Sequence, residues 1–151
     1  IAPHVIDENH LVEIIRKLKR PYVRYTRADE KNVRKADCLI IDCFGLLSSI
    51  YRYGEIAYIG GGFGVGIHNT LEAAVYGIPV IFGPKYQKFQ EAIQLLEAKG
   101  AFSVKDYEEL KTLLDRMLTD EVFLRESGMN ASNYVTGNAG ATDKIMSMIN
   151  F

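Results

Sequence analysis

Short apolar runs alternate along the chain with longer stretches in which apolar residues recur every three or four positions. The short runs predict buried strands and the longer stretches predict amphipathic helices. The predicted strands are residues 22–26, 37–42, 55–59, 78–82 and 101–104. The predicted helices are residues 7–20, 45–53, 69–76, 87–99, 106–118, 121–134 and 142–149. Alternating strands and helices favour an α/β fold, in which helices flank a parallel sheet.

Local signals mark where several of these elements begin and end. Asp7 is a suitable N-cap for the first helix, and Pro21 stops that helix because proline has no backbone N–H to donate. Gly77 and Gly100 each follow a predicted helix, in the position where a left-handed residue commonly closes one. From about residue 106 the pattern is helical only. We therefore predict a Rossmann-like parallel sheet flanked by helices, followed by a helical C-terminal tail.

The length of 151 residues and the 48% hydrophobic content suit one domain with a sizeable core, and we predict a single domain over residues 1–151. The net charge of -1 does not suggest a nucleic-acid partner. No apolar run approaches the roughly 20 residues of a membrane span. The chain opens on Ile1 rather than Met, which we interpret as the boundary of a soluble fragment.

Positive charge is concentrated near the N-terminus. Residues 1–35 hold nine Lys or Arg and five Asp or Glu, and all nine basic residues lie in the segment 16–35. One interpretation is a basic flank that meets an anionic membrane or a phosphorylated acceptor. The other is a solvated helix face and loop.

The segment richest in chemical information is residues 58–72, YIGGGFGVGIHNTLE. Five glycines within seven residues follow a predicted strand and precede a predicted helix. Glycine lets the backbone approach a ligand closely, and the start of a helix offers unpaired N–H groups. The arrangement predicts a phosphate site at the carboxyl end of a parallel strand. It lacks the GxxxxGK[ST] motif, so ATPase chemistry is disfavoured.

Three polar residues surround the predicted helix start. Asn69 is a good N-cap, and Glu72 stands three residues later, as in a capping box. A carboxylate in this place can also accept hydrogen bonds from paired hydroxyls such as those of ribose. His68 has a pKa range suited to proton transfer, although a histidine here is more commonly a hydrogen-bonding residue. An alternative interpretation needs no ligand: Asn69 and Glu72 only cap the helix, and the glycines form a tight turn.

Residues 60–92, GGGFGVGIHNTLEAAVYGIPVIFGPKYQKFQEA, resemble the C-terminal, donor-binding domain of 3-deoxy-D-manno-octulosonic acid (Kdo) transferases. These enzymes are glycosyltransferases of the GT-B class. The shared pattern is a glycine-rich turn, G-x-H-N-x-x-E-x-A, a G-x-P-V strand, and F-G-P before a helix with F-x-E. Pro3-His4 and residues 42–45 resemble two further family segments, so the likeness runs from residue 3 to about residue 104.

The resemblance implies transfer of Kdo from CMP-Kdo to a lipid A precursor in lipopolysaccharide biosynthesis, on the cytoplasmic face of the inner membrane. It implies a nucleotide-sugar donor, the lipid A precursor and the membrane surface as partners. The donor-binding residues that it implies are Pro3, His4, Gly45, Gly62, Gly64, Gly66, His68, Asn69, Thr70 and Glu72. Family members need no bound metal, so neither a metal nor a cofactor is expected.

A GT-B enzyme works between two domains, and in this family the acidic general base lies in the N-terminal domain. We therefore expect the N-terminal acceptor domain to be absent from this chain. We also expect the chain to contain no catalytic residue and to be inactive by itself. Leu46 departs from the family pattern, which commonly has a glutamate there, so any nucleotide contact from that side chain is lost.

Two other functions fit the same residues. The first is the donor domain of a GT-B enzyme that uses a UDP-sugar, such as a 2-epimerase or a GlcNAc-transferase. The second is a non-catalytic nucleotide-binding module that kept only the fold. Stabilisation by CMP, by UDP, or by neither nucleotide would distinguish the three functions.

Overall fold

The computed structural model describes the backbone of residues 1–149 and their side chains, except those of residues 142–144. All paired strands run parallel, which agrees with the predicted α/β class. Two 3-10 turns, Tyr25–Arg27 and Tyr51–Tyr53, supplement the regular elements. The α-helices and β-strands are, in chain order, α1 (Glu8–Lys17), β1 (Tyr22–Arg24), α2 (Glu30–Val33), β2 (Cys38–Ile40), α3 (Leu47–Ile50), β3 (Ala57–Tyr58), α4 (Leu71–Ala74), β4 (Val80–Phe82), α5 (Gln90–Glu97), β5 (Ala101–Ser103), α6 (Tyr107–Thr119), α7 (Glu121–Gly137) and α8 (Ala141–Met148).

The chain forms two compact units, Ile1–Ile50 and Tyr51–Phe151. In the first unit β1 pairs with β2, and in the second unit the strand order is β3-β4-β5. The hydrogen-bonded strands thus form two parallel sheets. The single domain expected over residues 1–151 stays a prediction, and its last two residues lie outside the described part of the chain.

The core of the first unit is small and lies under α1. Leu11 of this helix is buried, as are Val23 of β1 and Ile40 of β2. The carboxylate of Asp7 accepts hydrogen bonds from the N–H groups of Asn9 and His10, so the predicted N-cap is confirmed. The helix ends at Lys17, three residues earlier than predicted, because the backbone is already extended at Leu18 on its way to β1.

The core of the second unit lies on both faces of its sheet. All three residues of the central strand β4 are fully buried, which explains its uninterrupted apolar sequence. Val80 and Phe82 pack into a cluster with residues of α4, α5 and α7. Ile81 faces the other way and packs with Val104 and Met117. Successive side chains of a strand point to opposite faces, so one short strand supports both clusters.

Helix α7 lies very close to two loops, and glycine permits both contacts. A Cβ added to Gly128 would overlap the carbonyl oxygen of Gly77, which ends the turn after α4. A Cβ added to Gly100 would lie 2.6 Å from the backbone N of Ala131. These contacts hold the helix against the ends of α4 and α5 without an intervening side chain.

The structure differs from the predicted elements mainly in their length. Most strands are shorter than predicted, and residues 25–27 form a 3-10 turn where a strand was expected. Helix α2 was not predicted, because it has four residues and no apolar period. A capping box between Asp29 and Asn32 stabilises it.

Candidate functional site

The glycine-rich segment folds as a narrow hairpin after β3. Gly61 and Ile67 form an antiparallel bridge, in which the N–H of Gly62 donates to Gly66 O at 2.9 Å and that of His68 to Gly60 O at 3.2 Å. The tip is residues 63–65, and Val65 is 96% exposed. The N–H groups of the three tip residues donate no hydrogen bond to any other described residue. The tip therefore offers free amides, whereas Gly62 and His68 use theirs within the hairpin.

Most glycines of this hairpin have a structural reason to be glycine. Gly61 and Gly62 have φ values of 92° and 81°, a left-handed conformation that other residues rarely adopt. A Cβ on Gly66 would lie 2.6 Å from the ring of Phe89. Gly64 is different, because its φ is not in that region and a Cβ there would meet nothing within 4 Å.

A second loop, residues 83–85 after β4, is joined to the hairpin. A Cβ on Gly83 would lie 2.8 Å from Gly61 O, so the two loops pack backbone against backbone. The N–H of Lys85 donates to Gly62 O at 2.9 Å, and its ammonium Nζ donates to Gly64 O at 3.1 Å. Lys85 is exposed. The sequence signal that points to a site here is its position just after the carboxyl end of a strand.

The N-cap of the helix that follows the hairpin is one residue later than predicted. Thr70 is the N-cap of α4, and its side chain makes no capping hydrogen bond. Asn69 Oδ1 accepts from Leu71 N at 2.9 Å, and Asn69 Nδ2 donates to Glu72 Oε1 at 3.0 Å. The predicted capping box with Asn69 as N-cap is therefore wrong, because Glu72 accepts from the Asn69 side chain rather than from its backbone N–H. Helix α4 has only four residues, so its dipole is small.

The surroundings of α4 contain two polar groups with unused hydrogen-bonding capacity. Glu72 is partly buried, and its Oε2 accepts no hydrogen bond from the described residues. Thr70 is 1% exposed, and its Oγ1 has no hydrogen-bond partner in the described structure. Burial raises the pKa of the nearby Tyr51, and the charge of Glu72 raises it further. The Glu72 carboxylate can therefore accept from a hydroxyl-bearing ligand, whereas Thr70 Oγ1 is enclosed by the protein.

In the first unit, Pro3, His4 and Gly45 follow the carboxyl end of the sheet. The N-terminal ammonium of Ile1 donates to Leu39 O, and Ile41 N donates to Ile1 O, which is the pattern of parallel pairing beside β2. The chain from Ile1 to His4 therefore runs in the same direction as β2. Gly45 has a φ of 86°, which explains glycine in the turn after this strand.

Asp42 is a feature that sequence reasoning assigned only to a strand edge. Its side chain accepts hydrogen bonds from Thr26 N at 2.9 Å, Thr26 Oγ1 at 2.6 Å and Arg24 Nε at 2.7 Å. Arg24 also contacts Glu8 at 2.8 Å. Burial opposes ionisation, but the hydrogen bonds from Thr26 and Arg24 outweigh it and hold the pKa of Asp42 well below its usual range. The network fixes the turn after β1 to the end of β2.

The predicted donor-binding residues thus form two groups. Pro3, His4 and Gly45 lie in the first unit, and the second unit contains Gly62, Gly64, Gly66, His68, Asn69, Thr70 and Glu72. Within the second group, Gly62 and Gly66 are joined by a hydrogen bond, as are Asn69 and Glu72. His68 is exposed, and its backbone ties the hairpin to Gly60. The donor-binding roles of all ten residues stay predictions.

The described residues were also searched for metal sites and for membrane-spanning helices. They contain no group of three or more His, Cys, Asp and Glu side chains placed to hold a metal ion. None of their helices has both the length and the apolar character required to cross a lipid bilayer.

Comparison with known proteins identifies several relatives that share one name. The chain is 42% identical over 87 residues to the 3-deoxy-D-manno-octulosonic acid transferase of Aquifex aeolicus, an alignment covering 56% of this chain and 25% of that protein. It is 32% identical over 116 residues to the transferase of the same name from Rickettsia bellii, covering 75% of this chain and 28% of the relative. The chain therefore spans about a quarter of the length of the curated relatives it matches. No protein-family model matches it.

A solved structure has the same fold. The crystal structure of the C-terminal CMP-Kdo binding domain of WaaA from Acinetobacter baumannii superposes with a TM-score of 0.71 at 19% sequence identity. The match covers 84% of this chain and 67% of that one. The resemblance inferred from residues 60–92 is thereby confirmed. The chain is a homologue of the 3-deoxy-D-manno-octulosonic acid transferases over about a quarter of their length, with the Rossmann-like α/β fold of the WaaA C-terminal domain.

Proposed function

We propose that this chain binds CMP-Kdo and supplies the donor site of an enzyme that transfers Kdo to a lipid A precursor in lipopolysaccharide biosynthesis. The observation that carries the proposal is the 42% identity over 87 residues to a 3-deoxy-D-manno-octulosonic acid transferase. The fold shared with a CMP-Kdo binding domain supports it.

The local geometry suits the chemistry of such a donor. CMP-Kdo carries a phosphodiester, a carboxylate and many hydroxyl groups. The free amides at the hairpin tip are donors for anionic oxygens, and the partly buried Glu72 carboxylate is an acceptor for hydroxyls. Gly64 has no packing or backbone reason to lack a side chain, so close approach of a ligand explains it.

The identity of the nucleotide is the direct test. Thermal unfolding is measured with CMP-Kdo, CMP, UDP and UDP-GlcNAc at matched concentrations. A ligand at one hundred times its Kd adds about 2.7 kcal/mol to the free energy of unfolding, which raises Tm by several degrees. We expect this shift with CMP-Kdo and CMP. A shift with UDP alone would favour a UDP-sugar enzyme, and no shift with any nucleotide would favour a non-catalytic module.

A substitution of Glu72 tests whether its carboxylate binds the donor. Glu72→Gln keeps the size of the side chain but removes the charge, and we expect it to weaken CMP-Kdo binding by about 1.5–3 kcal/mol in calorimetry. Glu97→Gln is the control, because Glu97 is an exposed residue at the end of α5 and lies outside the hairpin. Equal affinities of the wild type and Glu72→Gln would remove Glu72 from the donor site.

Metal independence is part of the proposal, since the family resemblance implies chemistry without a bound metal. We expect the affinity for CMP-Kdo to be the same in EDTA and in millimolar Mg²⁺. A loss of binding in EDTA that Mg²⁺ restores would contradict this expectation.

The whole enzyme, in this proposal, works at the cytoplasmic face of the bacterial inner membrane, where its lipid acceptor resides. Among the nine basic residues of the segment 1–35, Arg24 is engaged with Asp42 and Glu8, and the other eight are exposed. Exposed lysines and arginines attract anionic lipid headgroups. Co-sedimentation with anionic vesicles, but not with zwitterionic ones, is the expected result, and binding to neither would contradict a membrane role for this segment.

A further inference from the structure

The hairpin supplies hydrogen-bond donors but little positive charge. Helix α4 has only four residues, so its N-terminus adds a small dipole. The N–H groups of Gly62 and His68 are used inside the hairpin. The remaining donors, at the tip, are neutral amides. A cationic side chain near the tip would therefore add the charge that favours an anionic ligand.

Lys85 is a cation held against the hairpin by two hydrogen bonds. Its backbone N–H donates to Gly62 O at 2.9 Å and its ammonium to Gly64 O at 3.1 Å. The backbones of Gly62 and Gly83 are so close that neither residue leaves room for a Cβ. This contact holds the loop that contains Lys85 against the hairpin. The position of the ammonium thus follows from the fold of two loops at the carboxyl ends of adjacent strands, where α/β sheets bind ligands.

The ammonium keeps its charge available. In residues 1–149, no described carboxylate forms an ion pair with Lys85, whereas Lys105 and Lys111 are each paired with an acid on their own helix or beside it. An ammonium has three N–H donors, and the Gly64 carbonyl uses one of them. Two donors and a full positive charge remain for a ligand.

We propose that Lys85 is a donor-binding residue of this site, whose ammonium binds an anionic oxygen of the sugar nucleotide at the tip of the hairpin. This inference rests on the proposed function. The anionic oxygen belongs either to the phosphate group, which CMP also has, or to the sugar carboxylate, which free Kdo also has.

Three variants separate charge from loop support. Lys85→Gln removes the charge but keeps an N–H donor for Gly64 O, Lys85→Arg keeps the charge, and Lys88→Gln removes a charge from an exposed lysine three residues away. Calorimetric titration of each with CMP-Kdo, CMP and Kdo gives the affinities. We expect Lys85→Gln to weaken CMP-Kdo binding about tenfold or more, Lys85→Arg about threefold or less, and Lys88→Gln to have no effect.

The ligand series identifies the anion. A loss of affinity for CMP as well as CMP-Kdo assigns Lys85 to the phosphodiester, and a loss for CMP-Kdo and Kdo but not CMP assigns it to the carboxylate. Wild-type affinity in Lys85→Gln, or an arginine variant as weak as the glutamine variant, would overturn the role of the charge and leave the proposed function standing. A wild-type chain that does not bind CMP-Kdo would overturn both proposals.

Discussion

At the scale of single residues, glycines of similar sequence context have different reasons to be glycine. Gly62 combines a φ of 81° with backbone contact to Gly83, whereas Gly64 has an ordinary φ and open space around it. The sequence showed a cluster of glycines and predicted a flexible, ligand-binding turn. It did not show which of them pack inside the protein, because those contacts depend on a loop about twenty residues further along the chain.

This difference predicts opposite outcomes for two alanine substitutions. Gly62→Ala places a Cβ 2.8 Å from the Gly83 backbone in a left-handed conformation that itself costs about 1–2 kcal/mol, so we expect Tm to fall by several degrees. Gly64→Ala should change the free energy of unfolding by less than about 0.5 kcal/mol and still weaken CMP-Kdo binding. Calorimetry and thermal unfolding measure both, and wild-type affinity of Gly64→Ala would remove Gly64 from the donor site.

Asp42 predicts a pH-dependent stability. Its pKa is lower in the folded protein than the value of about 3.9 in the unfolded chain, so the unfolded chain binds the proton first as pH falls. The carboxylate therefore contributes its full stabilisation above about pH 5 and loses it progressively at lower pH. Asp42→Asn should cost about 1–3 kcal/mol at pH 7, and its difference from the wild type should shrink by pH 3.

Urea unfolding followed by circular dichroism, at both pH values, measures this difference. Asp37→Asn is the control, because Asp37 forms only an exposed pair with Arg20 at 3.4 Å, an interaction worth at most about 1 kcal/mol. A difference between the wild type and Asp42→Asn that stayed constant from pH 7 to pH 3 would contradict the assignment.

At the scale of secondary-structure elements, the order and type of most segments followed from local patterns. Apolar periodicity predicted α5, α6 and α7, and the run from Val80 to Phe82 predicted the buried central strand. The boundaries were less predictable. Asn69 has good N-cap chemistry, yet Thr70 occupies that position.

Helix α7 gives a prediction at this scale. Alanine normally stabilises a helix interior by about 1 kcal/mol relative to glycine, but in Gly128→Ala the new Cβ overlaps the Gly77 carbonyl, which cannot rotate away. We expect a net loss of about 1–3 kcal/mol, as for other overpacked sites. Gly137→Ala, in the same helix with open space around it, should be neutral or stabilising. A Gly128→Ala protein as stable as the wild type would show that the two segments can separate without cost.

At the scale of the whole molecule, the α/β class and the family resemblance were both predictable from sequence. Alternation of elements is a repeated local signal, and the block from Gly66 to Glu72 is specific. The division of the strands into two sheets was not predictable from local patterns. It depends on contacts between residues far apart in the chain, such as that of Arg24 with Asp42, 18 positions away, and a periodic pattern does not indicate which distant side chains form such contacts.

The proposed function predicts a separation of binding from catalysis for this chain. No residue in it has been assigned as a general base, and such a base contributes roughly 10²–10⁴-fold to a reaction rate. We expect the chain to bind CMP-Kdo without transferring Kdo to a lipid A precursor. Mass spectrometry of the acceptor after incubation is the measurement, and a Kdo-modified acceptor would contradict the expectation.

The contact between Gly62 and Gly83 has a consequence for how this family can diversify. It is made by main-chain atoms, with the ring of Phe63 packed beside Gly83, so its geometry does not depend on the side chain at residue 65. Val65 is 96% exposed, which leaves it open to replacement. A library randomised at this position should retain folded proteins at high frequency, which makes residue 65 a favourable starting point for engineering the hairpin tip.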